Sequence, residues 1–270
     1  MTLHVTPPDA LLACDARDGV ATLTLNRPAA RNALSDDMIA ALTTALAEVA
    51  ADRAVKAVVI AANGPAFSAG HDMKQMTARR ADADGGAAYF ADLMARCSTM
   101  MQAIVELPQP VIAAVEGVAT AAGCQLVASC DLAVAGAAAR FATPGVNIGL
   151  FCSTPMVALS RNVPRKHAME MLLTGDMIDA DSACRFGLVN RVVGAGEALA
   201  GARALAAQLA AKSPLTLSIG KRAFYAQLEM GLADAYAYAS RVMAENMMAR
   251  DAAEGIGAFI DKRAPAWEGR

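Results

Sequence analysis

Apolar and polar positions alternate through Ala21-Thr22-Leu23-Thr24-Leu25, the pattern of a strand with one buried face. The turn signal Asp18-Gly19 precedes it and Leu11-Leu12 lies just upstream, so a hairpin is predicted. Asn26-Arg27-Pro28 ends the strand. Ser35 is placed as an N-cap, with Asp36 and Asp37 at the positive end of a helix that carries Met38, Leu42, Leu46 and Val49 at helical spacing. Further on, continuous apolar runs replace alternation. Val55 to Ile60, Pro110 to Val115 and Asp131 to Ala135 read as strands too apolar to face water on either side, so they belong to a sheet covered on both faces. Between the first two runs, residues 86–106 predict a long helix with Phe90, Met94, Cys97, Met101 and Ile104 on one stripe.

An internal echo links two of these runs. Val-Ile-Ala-Ala occurs at 59–62 and again at 111–114, each time leading to a Gly-containing turn and an Ala-Gly pair, Ala69-Gly70 and Ala122-Gly123. Two similar strand–turn–helix units lying side by side would produce this pattern. No long strand is predicted beyond Val189 to Val193. Helices follow over 196–212, 214–229, 231–249 and 251–263, punctuated by Gly201, Pro214 and Gly231. The organisation expected is a sheet-bearing body over 1–195 and a helical C-terminal region over 196–270.

Composition narrows the function classes. The 270 residues carry 24 basic and 26 acidic side chains, and 56 % are apolar. A chain of this kind folds around a large core and is not intrinsically disordered. The near-balanced charge, without long like-charge blocks, argues against nucleic acid or an anionic membrane as the main partner. The uncharged stretch 141–160 is broken by Pro144, Gly145, Asn147 and Pro155, so it predicts no membrane span. No basic segment precedes an apolar signal core, and a soluble intracellular protein is expected. Six cysteines show no CxxC spacing and three histidines are far apart, so neither a zinc site nor any other metal or redox cofactor is expected.

Several chemistries lack their motifs: there is no GxxxxGK[ST], no GxGxxG after a strand, no GxSxG and no HExxH. What remain are the two turns, Phe67 to Asp72 and Gly117 to Cys124, which bring small residues to a strand end before a helix. Small residues let backbone N–H groups approach a ligand closely, and a helix N-terminus adds pull on an anion. Side by side, two such turns could direct two donors at one carbonyl oxygen. Close packing of small residues in a dense core accounts for the same spacing.

The motifs in order resemble those of the crotonase, or enoyl-CoA hydratase/isomerase, superfamily over essentially the whole chain. Leu25-Asn26-Arg27-Pro28 with Arg31-Asn32-Ala33-Leu34 matches LNRP…NAL, and Ala66 to Lys74 resembles FSAGxDLK. Val111 to Asp131 resembles PVIAAVxGxAxGGGxxLxxxCD, while Leu173-Thr174-Gly175 and Ala183 to Val189 resemble LTG and A…GLV. The run Phe141 to Thr154 is similar to the subgroup containing enoyl-CoA hydratase domain-containing protein 3. The resemblance implies an α/β fold, a spiral of ββα repeats with a C-terminal helical trimerisation region, assembled as a homotrimer or hexamer. It implies an acyl-CoA thioester as substrate and no other cofactor. The compartment would be the bacterial cytoplasm, or the mitochondrial matrix after removal of a leader.

By the same resemblance, the backbone N–H groups of His71 and Ala122 form an oxyanion hole for a thioester enolate. CoA would lie along Ala30, Arg31, Ala69, His71, Asp72, Met73, Lys74 and Ala122, with Phe259 and Lys262 lent by a neighbouring subunit. Gly145, Asn147 and Cys152 would line the acyl pocket. The family's hydratases add water with two glutamates, and here those positions hold Gln125 and Gly145. An amide has no proton affinity near neutral pH, so Gln125 can orient water but cannot act as a base. Each acid–base group typically contributes about 10²–10⁴ in rate, which makes ordinary hydration by this chain doubtful. Ala121-Ala122-Gly123 also stands where GGG is usual. Asp72 is expected to bind backbone, Asp131 to be structural, and Trp267 to anchor packing. Cys152 has no activating base visible in the sequence. The alternative function is a catalytically weak acyl-CoA-binding or regulatory protein.

Overall fold

A computed structural model describes residues 3–7 and 9–270. The hairpin forms with strands β1 (Leu12–Arg17) and β2 (Val20–Leu25), joined through Asp18 and Gly19. Both turn residues have positive φ, 52° and 77°, as the tightest hairpin turns require. The partner strand therefore runs well beyond the Leu11-Leu12 pair that marked it. Helix α1 (Asp36–Ala51) starts at Ser35, whose side chain accepts from the Met38 N–H at 3.3 Å.

From there the chain repeats one device three times. A strand of the large sheet is followed by a short strand of a second sheet and then by a helix. The first unit is β3 (Ala57–Ala62) and β4 (Ala66–Ser68), leading to α2 (Met73–Ala78) and α3 (Ala87–Glu106). The second is β5 (Val111–Val115), β6 (Val118–Thr120) and α4 (Ala122–Ser129). The third, β7 (Leu132–Gly136), β8 (Arg140–Ala142) and α5 (Ser153–Asn162), leaves no repeated word in the sequence. Helix α6 (Arg165–Thr174), strand β9 (Ile178–Asp179), helix α7 (Ala180–Arg185) and strand β10 (Arg191–Val193) complete the two sheets. Their orders are β1-β2-β3-β5-β7-β10 and β4-β6-β8-β9, with β4, β6 and β8 parallel neighbours.

Both faces of the large sheet are buried, which explains the continuous apolar runs. Val58, Ile60, Ala113, Val115, Ala133 and Ala135 face the main core. Ala57, Val59, Ala61, Ile112, Ala114 and Val134 face a second core completed by Ala202, Leu205 and Ala206. Those three belong to α8 (Ala198–Ala210), so the first helix of the 196–270 region packs directly on the sheet. The echoed tetrapeptide is also slipped by one position. Val59 pairs with Ile112 rather than with Val111, and identical letters therefore lie on opposite faces. The units are real neighbours, but their structural equivalence is one residue off the literal match.

Helices α9 (Pro214–Leu228), α10 (Leu232–Met247) and α11 (Arg250–Ile260) extend from the body, and α9 and α10 contain no buried residue. One buried cluster ties α9 down. Lys221 Nζ reaches Asp131 Oδ2 at 2.7 Å and the carbonyls of Ile104 and Gln109 at 2.9 and 3.0 Å. Tyr225 donates to Asp131 Oδ1, while Oδ2 also accepts the Val111 N–H. Asp131 is thus structural, as expected. Trp267 donates to the Ala211 carbonyl and packs on Gly255, tying the C-terminal segment to α11. Among the described residues no helix is long and apolar enough to cross a membrane.

Candidate functional site

Four chain segments separated in sequence meet at the ends of β4, β6 and β8. The first is the loop after β2. Asn32, fully buried with φ 51°, accepts the Arg27 N–H through Oδ1 and donates through Nδ2 to the Asn63 and Ala66 carbonyls at 2.9 and 2.8 Å. Its own carbonyl accepts the Ser68 hydroxyl. Ala69 N–H donates to Arg31 O at 3.0 Å and Leu34 N–H to Gly70 O at 2.8 Å. This docks Ala30 and Arg31 beside Ala69. Sequence motifs pointed to the segment; that Asn32 is its pin follows only from bonds to residues 31 and 34 positions away.

The second and third segments are the turns after β4 and β6, and they touch backbone to backbone. A Cβ at Gly123 would lie 2.2 Å from Ser68 O, and one at Gly70 would lie 3.2 Å from Ala122 N. Gly70 has φ 90°, a conformation that a side chain would strain. Ala121 lacks that freedom yet adopts φ 50°, ψ −121°. Past these positions come the His71 and Ala122 N–H groups, and among the described residues neither donates to a protein acceptor. Ala122 opens α4, which is buried along its whole length, so its N–H also carries the positive end of the helix dipole.

The imidazole of His71 is half-buried, and both ring nitrogens are shielded from solvent without a well-formed hydrogen bond. Burial pushes its pKa below the ordinary 6.5, outweighing the upward pull of the Leu34 carbonyl and the Asp36 charge. The ring is neutral at pH 7. Asp72 caps α2, accepting from the Lys74 and Gln75 N–H groups at 3.1 and 3.2 Å and from Arg27 Nη1 at 2.8 Å. Burial alone would raise its pKa, but these donors, Gln75 and Arg27 foremost, hold it below the usual carboxylate range. Both carboxylate oxygens are engaged, so Asp72 has a scaffold role. Met73 and Lys74 in the first turn of α2 are exposed beside it.

On the other side lies the segment that follows β8. Ala121 N–H donates to Ala142 O at 3.0 Å, setting Thr143 and Pro144 against the turn after β6. A short 3₁₀ helix over Pro144–Ile148 holds Gly145, and a Cβ there would meet Leu150 O at 2.8 Å and Cys152 Sγ at 2.9 Å. The space that a longer side chain at 145 would need is filled by 150–152. Asn147 is exposed, with Nδ2 against Gly175. Burial raises the Cys152 thiol above its ordinary value and pushes Cys124 up to about 12, so both are protonated and neither is an activated nucleophile. Gln125, one turn into α4, is buried with Oε1 unpaired, and Thr143, which the sequence reading passed over, is buried with Oγ1 unpaired. Phe259 and Lys262 lie at the end of α11, which packs on α9 and α10, and Phe259 is 86 % exposed. A groove of about 480 Å³ between α9 and α10, with Leu215, Ile219, Tyr238 and Met248 in its walls, is lined by none of the site residues named above.

Comparison with known proteins gives this geometry a lineage. Residues 15–270 match the family model described as enoyl-CoA hydratase/isomerase. The chain is 46 % identical over 251 residues to the mitochondrial enoyl-CoA hydratase domain-containing protein 3 of Rattus norvegicus, covering 93 % of this chain and 82 % of the relative. It is 37 % identical over 247 residues to a putative enoyl-CoA hydratase of Thermus thermophilus, covering 91 % of this chain and 96 % of the relative. The crystal structure of human enoyl-CoA hydratase domain-containing protein 3 superposes with a TM-score of 0.90 at 44 % identity, covering 96 % of this chain and all of that one. That of an enoyl-CoA hydratase from Mycobacterium smegmatis gives 0.91 at 53 % identity, with 96 % and 99 % covered. The fold is that of the crotonases, and the chain belongs to the enoyl-CoA hydratase/isomerase family.

Proposed function

We propose that this protein is an acyl-CoA enzyme that polarises the thioester carbonyl with the His71 and Ala122 N–H groups and stabilises the enolate formed from it. The observation that carries the reading is the pair of unpartnered N–H groups at the ends of adjacent parallel strands, held by contacts that admit only glycine at 70 and 123. Preorganised donors of this kind need no reorganisation as charge develops, and removing one costs about 10²–10³ in rate in other enzymes. CoA runs along Ala30, Arg31, Ala69 and Lys74. Proton transfer cannot follow the two-glutamate pattern, because Gln125 and Gly145 supply no carboxylate and the contacts around Gly145 leave no room for one. Double-bond migration and decarboxylation, which pass through an enolate, and thioester hydrolysis, in which water adds to give a tetrahedral oxyanion, all draw on the same hole.

The neutral lining around Gln125 supports one alternative, an acyl-CoA-binding protein without turnover. Crotonyl-CoA turnover, followed by loss of enoyl absorbance, and calorimetric titration with CoA esters on the same preparation separate the readings. Hydration at ordinary enzymatic rates overturns the claim that this site cannot add water to an enoyl thioester without the two glutamates. Absence of binding overturns the acyl-CoA assignment itself. Assembly as a homotrimer or hexamer through α9–α11 is supported by Leu232, Tyr236, Met243 and Met248, all at least 61 % exposed, since a patch of this kind marks an interface. A neighbouring subunit would then bring Phe259 and Lys262 to the CoA. The compartment proposed is the bacterial cytoplasm or the mitochondrial matrix.

A further inference from the structure

With no protein acceptor among the described residues to aim it, the His71 N–H takes its direction from whatever holds the chain on either side. On the near side, Leu34 N–H donates to Gly70 O at 2.8 Å, and Leu34 and His71 pair as a short parallel bridge. On the far side, Asp36 N–H donates to Gln75 Oε1 at 3.1 Å. Residues 34–36 therefore grip 70 and 75 and leave 71 between them. Helix α3 closes this grip into a ring. The Tyr89 hydroxyl donates to Asp36 Oδ2 at 3.0 Å, and Arg96 Nη2 donates to Oδ1 at 2.6 Å. The Arg79 guanidinium, at the end of α2, lies over the Tyr89 ring, 4.9 Å from its centroid. Gln75 and Arg79 are one helical turn apart, so Asp36, Gln75, Arg79 and Tyr89 form one closed circuit. The Asp36 charge also pulls the His71 pKa upward, which puts the circuit within electrostatic reach of that residue.

We propose that Asp36 and Gln75 are positioning residues for the His71 N–H, a brace that fixes the direction of this donor independently of its contacts with the turn after β6. This rests on the proposed acyl-CoA function. The near side cannot fix the donor alone. Gly70 has φ 90°, and glycine has the widest backbone choice of any residue, so the bond from Leu34 to Gly70 leaves residue 71 able to swing. The bond from Asp36 to Gln75 removes that freedom. Anchoring of the Asp36 carboxylate to Tyr89 and Arg96 keeps the first turn of α1 from moving with it. Direction matters because a hydrogen bond weakens steeply once donor and acceptor are misaligned. A donor held in place needs no reorganisation as charge grows on the thioester oxygen. Gln75 and Tyr89 are uncharged, so altering them tests the geometry without changing the charge near the hole.

A push–pull thioester, 4-(dimethylamino)cinnamoyl-CoA, reads the hole directly and needs no turnover, because its absorption moves to the red as its carbonyl is polarised. The full-length unaltered protein is expected to bind it and shift its spectrum. Gln75→Met keeps the length of the side chain and removes the acceptor. At saturation its red shift should fall by about half or more, with little change in affinity. Gln75→Glu retains an acceptor oxygen and should restore most of the shift. Tyr89→Phe opens the circuit on its other side and should reduce the shift in the same direction; it decides the matter if Gln75→Met does not fold. A merely structural role would lower Tm in these variants and leave the shift at saturation unchanged, and that result overturns the brace. Absence of binding, or of any shift, in the unaltered protein overturns the proposed function instead.

Discussion

Ala121 is the sharpest test of how the turn after β6 is built. Its φ of 50° with ψ of −121° belongs to glycine, and holding another residue there costs of order 1–3 kcal/mol. Substituting Ala121→Gly releases that strain. Two terms oppose the gain. The glycine unfolded chain has more freedom to lose, about 0.4–1 kcal/mol. The half-buried methyl gives up part of the roughly 0.8 kcal/mol that a buried carbon contributes. The balance is a stabilisation of about 1 kcal/mol, read as a Tm rise of about 2–4 °C for a chain of this size. Scanning calorimetry at a fixed protein concentration measures it, since assembly shifts Tm by mass action. Ala128→Gly, at an ordinary helical position inside α4, which Ala121 precedes, is the control; it should lower stability by about 1–2 kcal/mol from lost propensity and burial. A fall in Tm for Ala121→Gly comparable to that of the control would refute the reasoning, because the positive φ would then carry no cost.

Other expectations follow from neighbouring contacts. Gly123→Ala puts a Cβ 2.2 Å from Ser68 O and must push the two turns apart; displacement of about 1 Å costs about 10² in rate, so acyl-CoA turnover should fall at least that far. Lys221→Met leaves the buried Asp131 carboxylate without its cation, and urea denaturation should show a loss of about 3–5 kcal/mol. His71 is neutral in the fold with a pKa below 6.5, so the unfolded chain binds its proton first as pH falls. Stability should therefore drop on acidification below about pH 6.5. His71→Leu should flatten that part of a Tm-against-pH curve, and an unchanged curve would contradict the burial argument.

Much of the fold was legible because its signals are local. The Ser35 cap, the Asp18-Gly19 turn and the doubly buried strands each depend on residues a few positions apart, where backbone preference and side-chain periodicity act directly. The third unit was not legible as a repeat. Its strand shares no word with the other two, since a buried strand asks for small apolar residues in general rather than for particular ones. The helix boundaries at the C-terminus were close for a similar reason: Pro214 and Gly231 stand at the edges of α9 and α10.

The order of motifs along the chain already carried the family and the identities at 125 and 145, because those are properties of the string of residues. What required the folded chain were relationships across long separations. That Val59 lies beside Ile112 and not Val111 is a matter of register, and a one-residue slip reverses every side chain. Asn32 binds Asn63 and Ala66, and Lys221 binds Asp131, over 31 to 90 positions. No local propensity encodes such bonds. Whether a buried polar atom finds a partner is likewise decided by everything packed around it, so Thr143 and Gln125 declare themselves only once β4, β6 and β8 lie side by side.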